Sequence, residues 1–185
     1  IYEKMKLFMN HGIERDYLKY DKKIKSPWYY EQKLLGYNYR INELQAALGI
    51  SQLKKLNKFN ISRNILAKRY KKHFEKLPIK FQLVKKNYVS SYHLFVIIFP
   101  PKIIIKNLYD KIYKYFRKNK IGVNLHYLPV HLHPLYKKFG FKNGDFPISE
   151  NYSQRALSIP LYPTLSFNMQ NNILKITKKI SKIYF

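Results

Sequence analysis

The sequence predicts a mixed α/β (α+β) domain that follows a stretch unable to form a domain alone. Three observations predict it. From about residue 60 onward helical and extended patterns alternate, as layered mixed domains require. Apolar residues make up 46% of the 185 residues and charged residues 25%, which is enough for a core and too ordered a balance for a disordered tail. Residues 1–59, by contrast, carry one strong helix amid mixed charge and aromatic clusters, so the expected division is 1–59, an incomplete end of something larger, and 60–185, a domain.

The elements follow in order. Ile1, Met5, Leu7 and Phe8 stand at helical spacing, and His11-Gly12 stops that helix. Residues 14–33 read as an irregular excursion around Pro27, and the cluster Trp28-Tyr29-Tyr30 within it reads as more than idle surface. A helix is expected over 41–57, with Asn42 as N-cap and Leu44, Ala47, Leu48 and Leu53 on one face. Its small residues Ala46, Ala47 and Gly49 suit close packing against another subunit or a sheet. A second helix is expected over 60–77, with Ile61, Ile65, Leu66, Tyr70 and Phe74 inward, ended by Pro78. Residues 92–99 read as a strand, 105–118 as a helix burying Leu108, Ile112, Tyr115 and Phe116, and 122–127 as a short strand. Short helices at 135–139 and 148–157, a strand at 158–161 and a final helix at 166–183 complete the pattern. The 18 Tyr and 12 Phe fall mostly at core spacing on helices.

Composition excludes several chemistries. With no cysteine, there is no disulfide, thiolate-bound zinc, iron–sulfur cluster or cysteine nucleophile. The formal net charge of +26 points at face value to nucleic acid or an anionic surface. However, only six of the 36 basic residues are Arg, the side chain suited to bidentate base and phosphate contacts, and the Lys are spread along the whole chain. No recognition signature accompanies them, so no nucleic-acid partner is expected; a basic nucleic-acid or anionic-surface binding module is the alternative. No apolar run approaches the ~20 residues of a membrane span and no signal peptide is visible, so no membrane partner and a cytoplasmic location are expected. With six Gly and neither a Walker nor a dinucleotide fingerprint, a glycine-rich phosphate loop is not expected.

Three clusters carry chemistry. Asn38 and Arg40 offer an amide and a guanidinium fork just ahead of a helix N-terminus, where a phosphate is favoured; an Arg capping a helix end and an Asn in a turn is an equally good account. His126, Tyr127, His131 and His133 lie in a proline-stiffened loop, and three His within eight residues suit a ligand-binding loop, a metal site or local packing. No Asp or Glu sits at ligand spacing among them, and no metal is expected. Tyr92 and His93 open the expected 92–99 strand, where a lone His is more often structural than catalytic.

The run Gly36-Tyr-Asn-Tyr-Arg-Ile-Asn-Glu-Leu-Gln-Ala-Ala-Leu-Gly49, followed by Gln52-Leu53, Arg63, Ala67 and Tyr70, resembles the DegT/DnrJ/EryC1/StrS family of nucleotide-sugar aminotransferases. Further matches are Met9-Asn-His-Gly-Ile13, Tyr92-His93-Leu-Phe95, Gly122-Val-Asn-Leu-His-Tyr-Leu-Pro129, His131-Leu-His-Pro134, Phe146-Pro147 with Glu150, and Leu157-Ser-Ile-Pro-Leu-Tyr-Pro163. Asn10 and Ile159 are mild departures, standing where Ser and Leu are common. Within the family, Pro27-Trp-Tyr-Tyr-Glu31 and the 126–134 run resemble the pseudaminic acid branch.

The resemblance implies the C-terminal portion of a fold type I enzyme dependent on pyridoxal 5'-phosphate (PLP), a homodimer with active sites shared between subunits. It implies glutamate as amino donor and a 4-keto-6-deoxy UDP-sugar as acceptor. It places Asn38 and Arg40 toward the partner's PLP phosphate or substrate region, and Trp28, Tyr29, Tyr30, Tyr92, His93, His126, Tyr127, His131 and His133 around the substrate. The Schiff-base Lys is expected upstream of Ile1, so no catalytic residue is assigned within these 185 residues, and the chain alone is expected not to transaminate.

Overall fold

The computed structural model describes all 185 residues, which form two compact units, Ile1–Lys55 and Leu56–Phe185. The first unit begins with α1 (Tyr2–Met9), which ends where His11 and Gly12 take left-handed backbone angles (φ 57° and 70°). Strands β1 (Ile13–Glu14) and β2 (Glu31–Gln32) then pair antiparallel, so the 14–33 excursion is closed at its base by a two-residue ladder that the irregular sequence did not signal. Helix α2 (Glu43–Leu53) starts where expected. Asn42 Oδ1 accepts from Gln45 N at 2.9 Å and Asn42 N donates to Gln45 Oε1 at 3.1 Å, a reciprocal capping box. None of its residues is buried, and Leu44 and Leu48 stand 84% and 62% exposed. An 11-residue helix is marginal without a partner for its apolar face.

The second unit holds the core. Helix α3 (Leu56–Phe74) buries Leu66, Ala67, Tyr70 and Phe74; Ile61 and Ile65, expected inward, are exposed. Strands β3 (Lys80–Phe81), β4 (Phe95–Ile98) and β5 (Ala156–Ile159) make one antiparallel sheet in the order β3-β4-β5. In β4 the alternation is legible: Phe95 and Ile97 are fully buried, while Val96 and Ile98 are half-buried. The Gln82 side chain extends the β3 edge, accepting from Val96 N (2.8 Å) and donating to Leu94 O (2.9 Å).

The helix expected over 105–118 is two helices, α4 (Lys102–Ile105) and α5 (Tyr109–Lys118). Asn107 takes φ 48°, a left-handed turn that Asn tolerates, and Leu108 N bonds back to Ile103 O at 2.8 Å. The expected 122–127 strand shrinks to one bridge, Asn124 to Ser158. Short helices α6 (Pro134–Lys137) and α7 (Pro147–Ser153) precede β5, and α8 (Phe167–Tyr184) closes the chain, capped by the Ser166 hydroxyl accepting from Met169 N.

Helix α8 is locked to α3 by a buried amide. Gln170 Nε2 donates to Leu66 O (2.8 Å) and its Oε1 accepts from Arg69 (2.9 Å). Tyr70 and Tyr109 use their hydroxyls as donors to Pro160 O and Ala156 O, both at 2.9 Å. Burial pushes the Tyr70 phenol up and the Tyr109 phenol up to about 12, so both stay protonated at neutral pH. The aromatic residues divide: Tyr70, Phe74, Tyr92, Phe95, Phe99 and Phe116 are core, with Phe81, Tyr109, Tyr113, Tyr115, Tyr184 and Phe185 packed against it, whereas Tyr17, Tyr30, Tyr37, Tyr39, Tyr88 and Tyr127 are exposed.

Candidate functional site

In the first unit, the segments 8–13 and 33–39 are sewn together by main-chain bonds: His11 N to Tyr37 O (2.8 Å), Tyr37 N to Phe8 O (2.7 Å), Tyr39 N to Met9 O (3.0 Å) and Lys33 N to Gly12 O (2.8 Å). Two glycines permit this approach. A Cβ at Gly12 would lie 1.7 Å from Leu34 O, and one at Gly36 2.2 Å from Gly12 N. This seam fixes Asn38, bridged to Asn10, and Arg40, whose Nη2 donates to Asn10 Oδ1 at 2.5 Å. Both side chains are exposed, just ahead of the capped start of α2, and Arg40 forms no ion pair. A guanidinium and an amide presented without a carboxylate suit the acceptor oxygens of a phosphate.

The excursion between β1 and β2 folds over a 420 Å³ cavity lined by Arg15, Tyr17, Tyr20, Lys25, Trp28, Tyr29 and Tyr30. Glu31 is its anchor. The carboxylate accepts from Asp21 N (2.7 Å), Lys22 N (3.0 Å), Tyr29 Oη (3.1 Å) and the Lys33 ammonium. The Lys33 bond, aided by the two amides and the phenol, outweighs desolvation and holds the Glu31 carboxyl down at about 2. A carboxyl depressed in the folded state contributes stability that is fully present above its ordinary value of 4.5 and is lost as pH falls toward 2. Trp28 is the one tryptophan of the chain and packs edge-on against Tyr29 at 6.0 Å. Its fluorescence is therefore expected to hold steady from pH 7 to about 5 and to change between about 4.5 and 2. Glu31→Gln is expected to show the acid-state emission already at pH 7; an unchanged titration in that variant would remove Glu31 as the anchor.

In the second unit, His93 and His126 share a cleft of 460 Å³ with Tyr113, Arg117, Asn124 and Ser158. Tyr127 is exposed, edge-on to the His126 ring at 4.7 Å, and His133 is exposed at the start of α6. Tyr92 and His131 are placed differently from these. Tyr92 is 6% exposed, and its hydroxyl accepts from Lys71 Nζ at 2.7 Å. His131, also 6% exposed, turns inward, its Nε2 2.7 Å from Glu150 Oε1. Gly144 N (2.9 Å) and Phe146 N (3.3 Å) donate to the same carboxylate. Burial alone would raise the Glu150 carboxyl; the His131 bond and the two amides outweigh it and hold the group below its ordinary range. Glu150 thus clasps the 131–146 loop closed. No group of three His, Asp or Glu stands close enough to hold a metal ion.

The sequence reading did not single out Arg15, Lys25, Glu31, Arg117, Asn124 or Ser158. Charge density hid Arg15, Lys25 and Arg117, since a basic residue is unremarkable in a chain of net charge +26. The signal for Ser158 exists only in three dimensions, through its 2.8 Å bond to His126 Nδ1 across 32 residues.

Comparison with known proteins places this geometry in a family. The chain is 36% identical over 183 residues (97% of its length) to an uncharacterised protein of Methanocaldococcus jannaschii, spanning 47% of that protein. It is 31% identical over 98% of its length to the UDP-4-amino-4,6-dideoxy-N-acetyl-beta-L-altrosamine transaminase of Campylobacter jejuni, spanning 46% of it. Among solved structures, the Helicobacter pylori aminotransferase PseC, involved in pseudoaminic acid biosynthesis, superimposes with a TM-score of 0.78 at 29% identity, over 98% of this chain and 46% of that one. The chain therefore spans about half the length of these relatives, and its α/β fold is that of part of a fold type I PLP-dependent aminotransferase. No helix is long and apolar enough to cross a membrane. With the family profile matching residues 1–178 of 185, the chain belongs to the DegT/DnrJ/EryC1/StrS aminotransferase family.

Proposed function

We propose that this chain is the C-terminal part of a PLP-dependent aminotransferase that moves an amino group from glutamate to a 4-keto-6-deoxy UDP-sugar, in pseudaminic acid or related surface-glycan biosynthesis. Residues 1–59 are then the end of the cofactor-binding domain and 60–185 the small domain. The protein acts as a cytoplasmic homodimer with its active site shared between subunits. The observation that carries the reading is the seam that fixes Asn38 and Arg40 beside a capped helix start, with donors outward and no carboxylate competing. The 31% identity across almost the whole chain to the Campylobacter transaminase supports the substrate class.

The residues present fit PLP at its phosphate end: Arg40 would grip two phosphate oxygens with its fork and Asn38 would donate a third bond. PLP, when bound, supplies the electron sink for moving the amino group. The chain's own residues bind and orient. Trp28, Tyr29 and Tyr30 offer aromatic surface that sheds water from a bound substrate. His93, His126, Tyr127 and His133 offer hydrogen bonds to sugar hydroxyls or the diphosphate. Tyr92 and His131 act indirectly, Tyr92 through its bond from Lys71 and His131 through its bond to Glu150.

The test is amination of 4-keto-6-deoxy UDP-sugars by the enzyme containing this chain, with glutamate and PLP. Turnover of at least one such sugar is expected. No turnover with any of them, together with DNA retention that falls steeply with salt, would replace this reading with a basic nucleic-acid module.

A further inference from the structure

The cleft that holds His93 and His126 is unusual in its hydrogen-bond accounting. Ser158 is 6% exposed, and its hydroxyl has one partner, His126 Nδ1 at 2.8 Å. A buried hydroxyl with no other acceptor donates to that nitrogen. Neutral His126 is then protonated on Nε2, the nitrogen left without a protein partner. Asn124 Oδ1 is occupied by Leu125 N at 2.9 Å, which leaves its NH₂ group free. Arg117 forms no ion pair and no side-chain hydrogen bond, and its Nη1 lies close over Gly122, 3.7 Å from where a Cβ would stand there. The Tyr113 hydroxyl and the His93 ring are also without partners, and no Asp or Glu lines the cleft. The free groups are thus mostly donors, one of them a permanent cation.

From this we infer that the cleft between α5, the 122–126 segment and β5 is an oxyanion site, built for a carboxylate or phosphate group, with Arg117 its charged ligand and His126 and Asn124 its oriented donors. Ser158 is a positioning residue that sets the His126 tautomer. The inference deepens the proposed function, and rests on it only for the identity of the natural occupant: the carboxylate of the amino donor or a phosphate of the nucleotide.

The experiment follows the imidazole resonances of the isotope-labelled 185-residue chain by NMR at about 0.15 M NaCl, where loose surface electrostatics are screened. Two of its six His line the cleft, and His11 and His73 report elsewhere. The probes are glutarate, inorganic phosphate and the neutral diamide of glutarate. Saturable shifts of His93 and His126 are expected with one or both anions, with His11 and His73 unmoved and the diamide inert. Arg117 is exposed, so Arg117→Gln is expected to leave the amide spectrum intact and to weaken binding about tenfold or more. Ser158→Ala is expected to shrink the His126 shift more than the His93 shift. Tighter glutarate assigns the site to the donor and tighter phosphate to the nucleotide; both uphold the oxyanion site. Shifts shared equally by all six His, or Arg117→Gln binding as tightly as the parent, would overturn it. Failure of the amination assay with this binding intact would count against the proposed function alone.

Discussion

Phe95→Ala is expected to destabilise the Leu56–Phe185 unit by about 3–5 kcal/mol, the range for removing a buried aromatic ring. Phe95 is fully buried at the head of β4, with ring centroids of Tyr70, Phe74, Phe81 and Tyr92 between 5.1 and 6.3 Å away. It also pairs in register with Ile159 of β5, so the sheet and α3 meet on this one ring. Cavity formation adds to the lost transfer energy because four aromatic neighbours, on α3, on β3 and in the loop before β4, cannot all move in. Against a typical stability of about 5–15 kcal/mol, the loss is large enough to lower Tm by about 10 °C or more. Ile61→Ala is the matched control. Ile61 is 61% exposed and its truncation is expected to stay within about 0.5 kcal/mol. Urea unfolding measures both; equal midpoints for the two variants would mean that the core is not centred on Phe95.

The second large effect concerns Arg40. In the enzyme containing this chain, Arg40→Ala is expected to weaken PLP retention about 10- to 100-fold, corresponding to the loss of about 1.5–3 kcal/mol of charge-assisted hydrogen bonding. Folding should be spared, since the side chain is exposed and its one protein partner is Asn10. Arg40→Lys restores the charge without the planar fork and is expected to recover only part of the loss. Equilibrium dialysis of the cofactor reads this directly. Unchanged retention in Arg40→Ala would assign the guanidinium to holding Asn10 and nothing further.

Local chemistry was legible in the sequence wherever it is carried by neighbours. Asn42 and Gln45 are three residues apart, so the cap that starts α2 could be expected from its N-cap. The β-branched and aromatic run over 92–99 announced β4, and the last helix was expected over 166–183, close to its observed bounds. What escaped is set by distant partners. Strand β3 is two residues long, below any periodic signal, and exists because β4 offers it a ladder that the Gln82 side chain continues. Ile61 and Ile65 obey the helical period of α3 yet lie outside the core, because the period marks a face and not what covers it. The expected helix over 105–118 breaks at Asn107, a residue whose tolerance of left-handed backbone was visible but not decisive.

The candidate site divides along the same line. Asn38 and Arg40 could be named from their place before α2, but their rigidity comes from main-chain bonds to residues 8–11, some thirty positions earlier. The three clustered His of the 126–133 loop looked alike in sequence, and distant partners separate them. Ser158 fixes His126 at the cleft and Glu150 draws His131 into the interior, while His133 is left exposed.

The central claim is that Asn38 and Arg40 are fixed so as to hold a phosphate. A crystal structure of the cofactor-loaded enzyme containing this chain measures it most directly. The account predicts Arg40 guanidinium and Asn38 amide nitrogens about 3 Å from phosphate oxygens of PLP housed by the partner subunit. The same two side chains pointing into solvent, with no phosphate or nucleotide-sugar within reach of a bridging water, would contradict it.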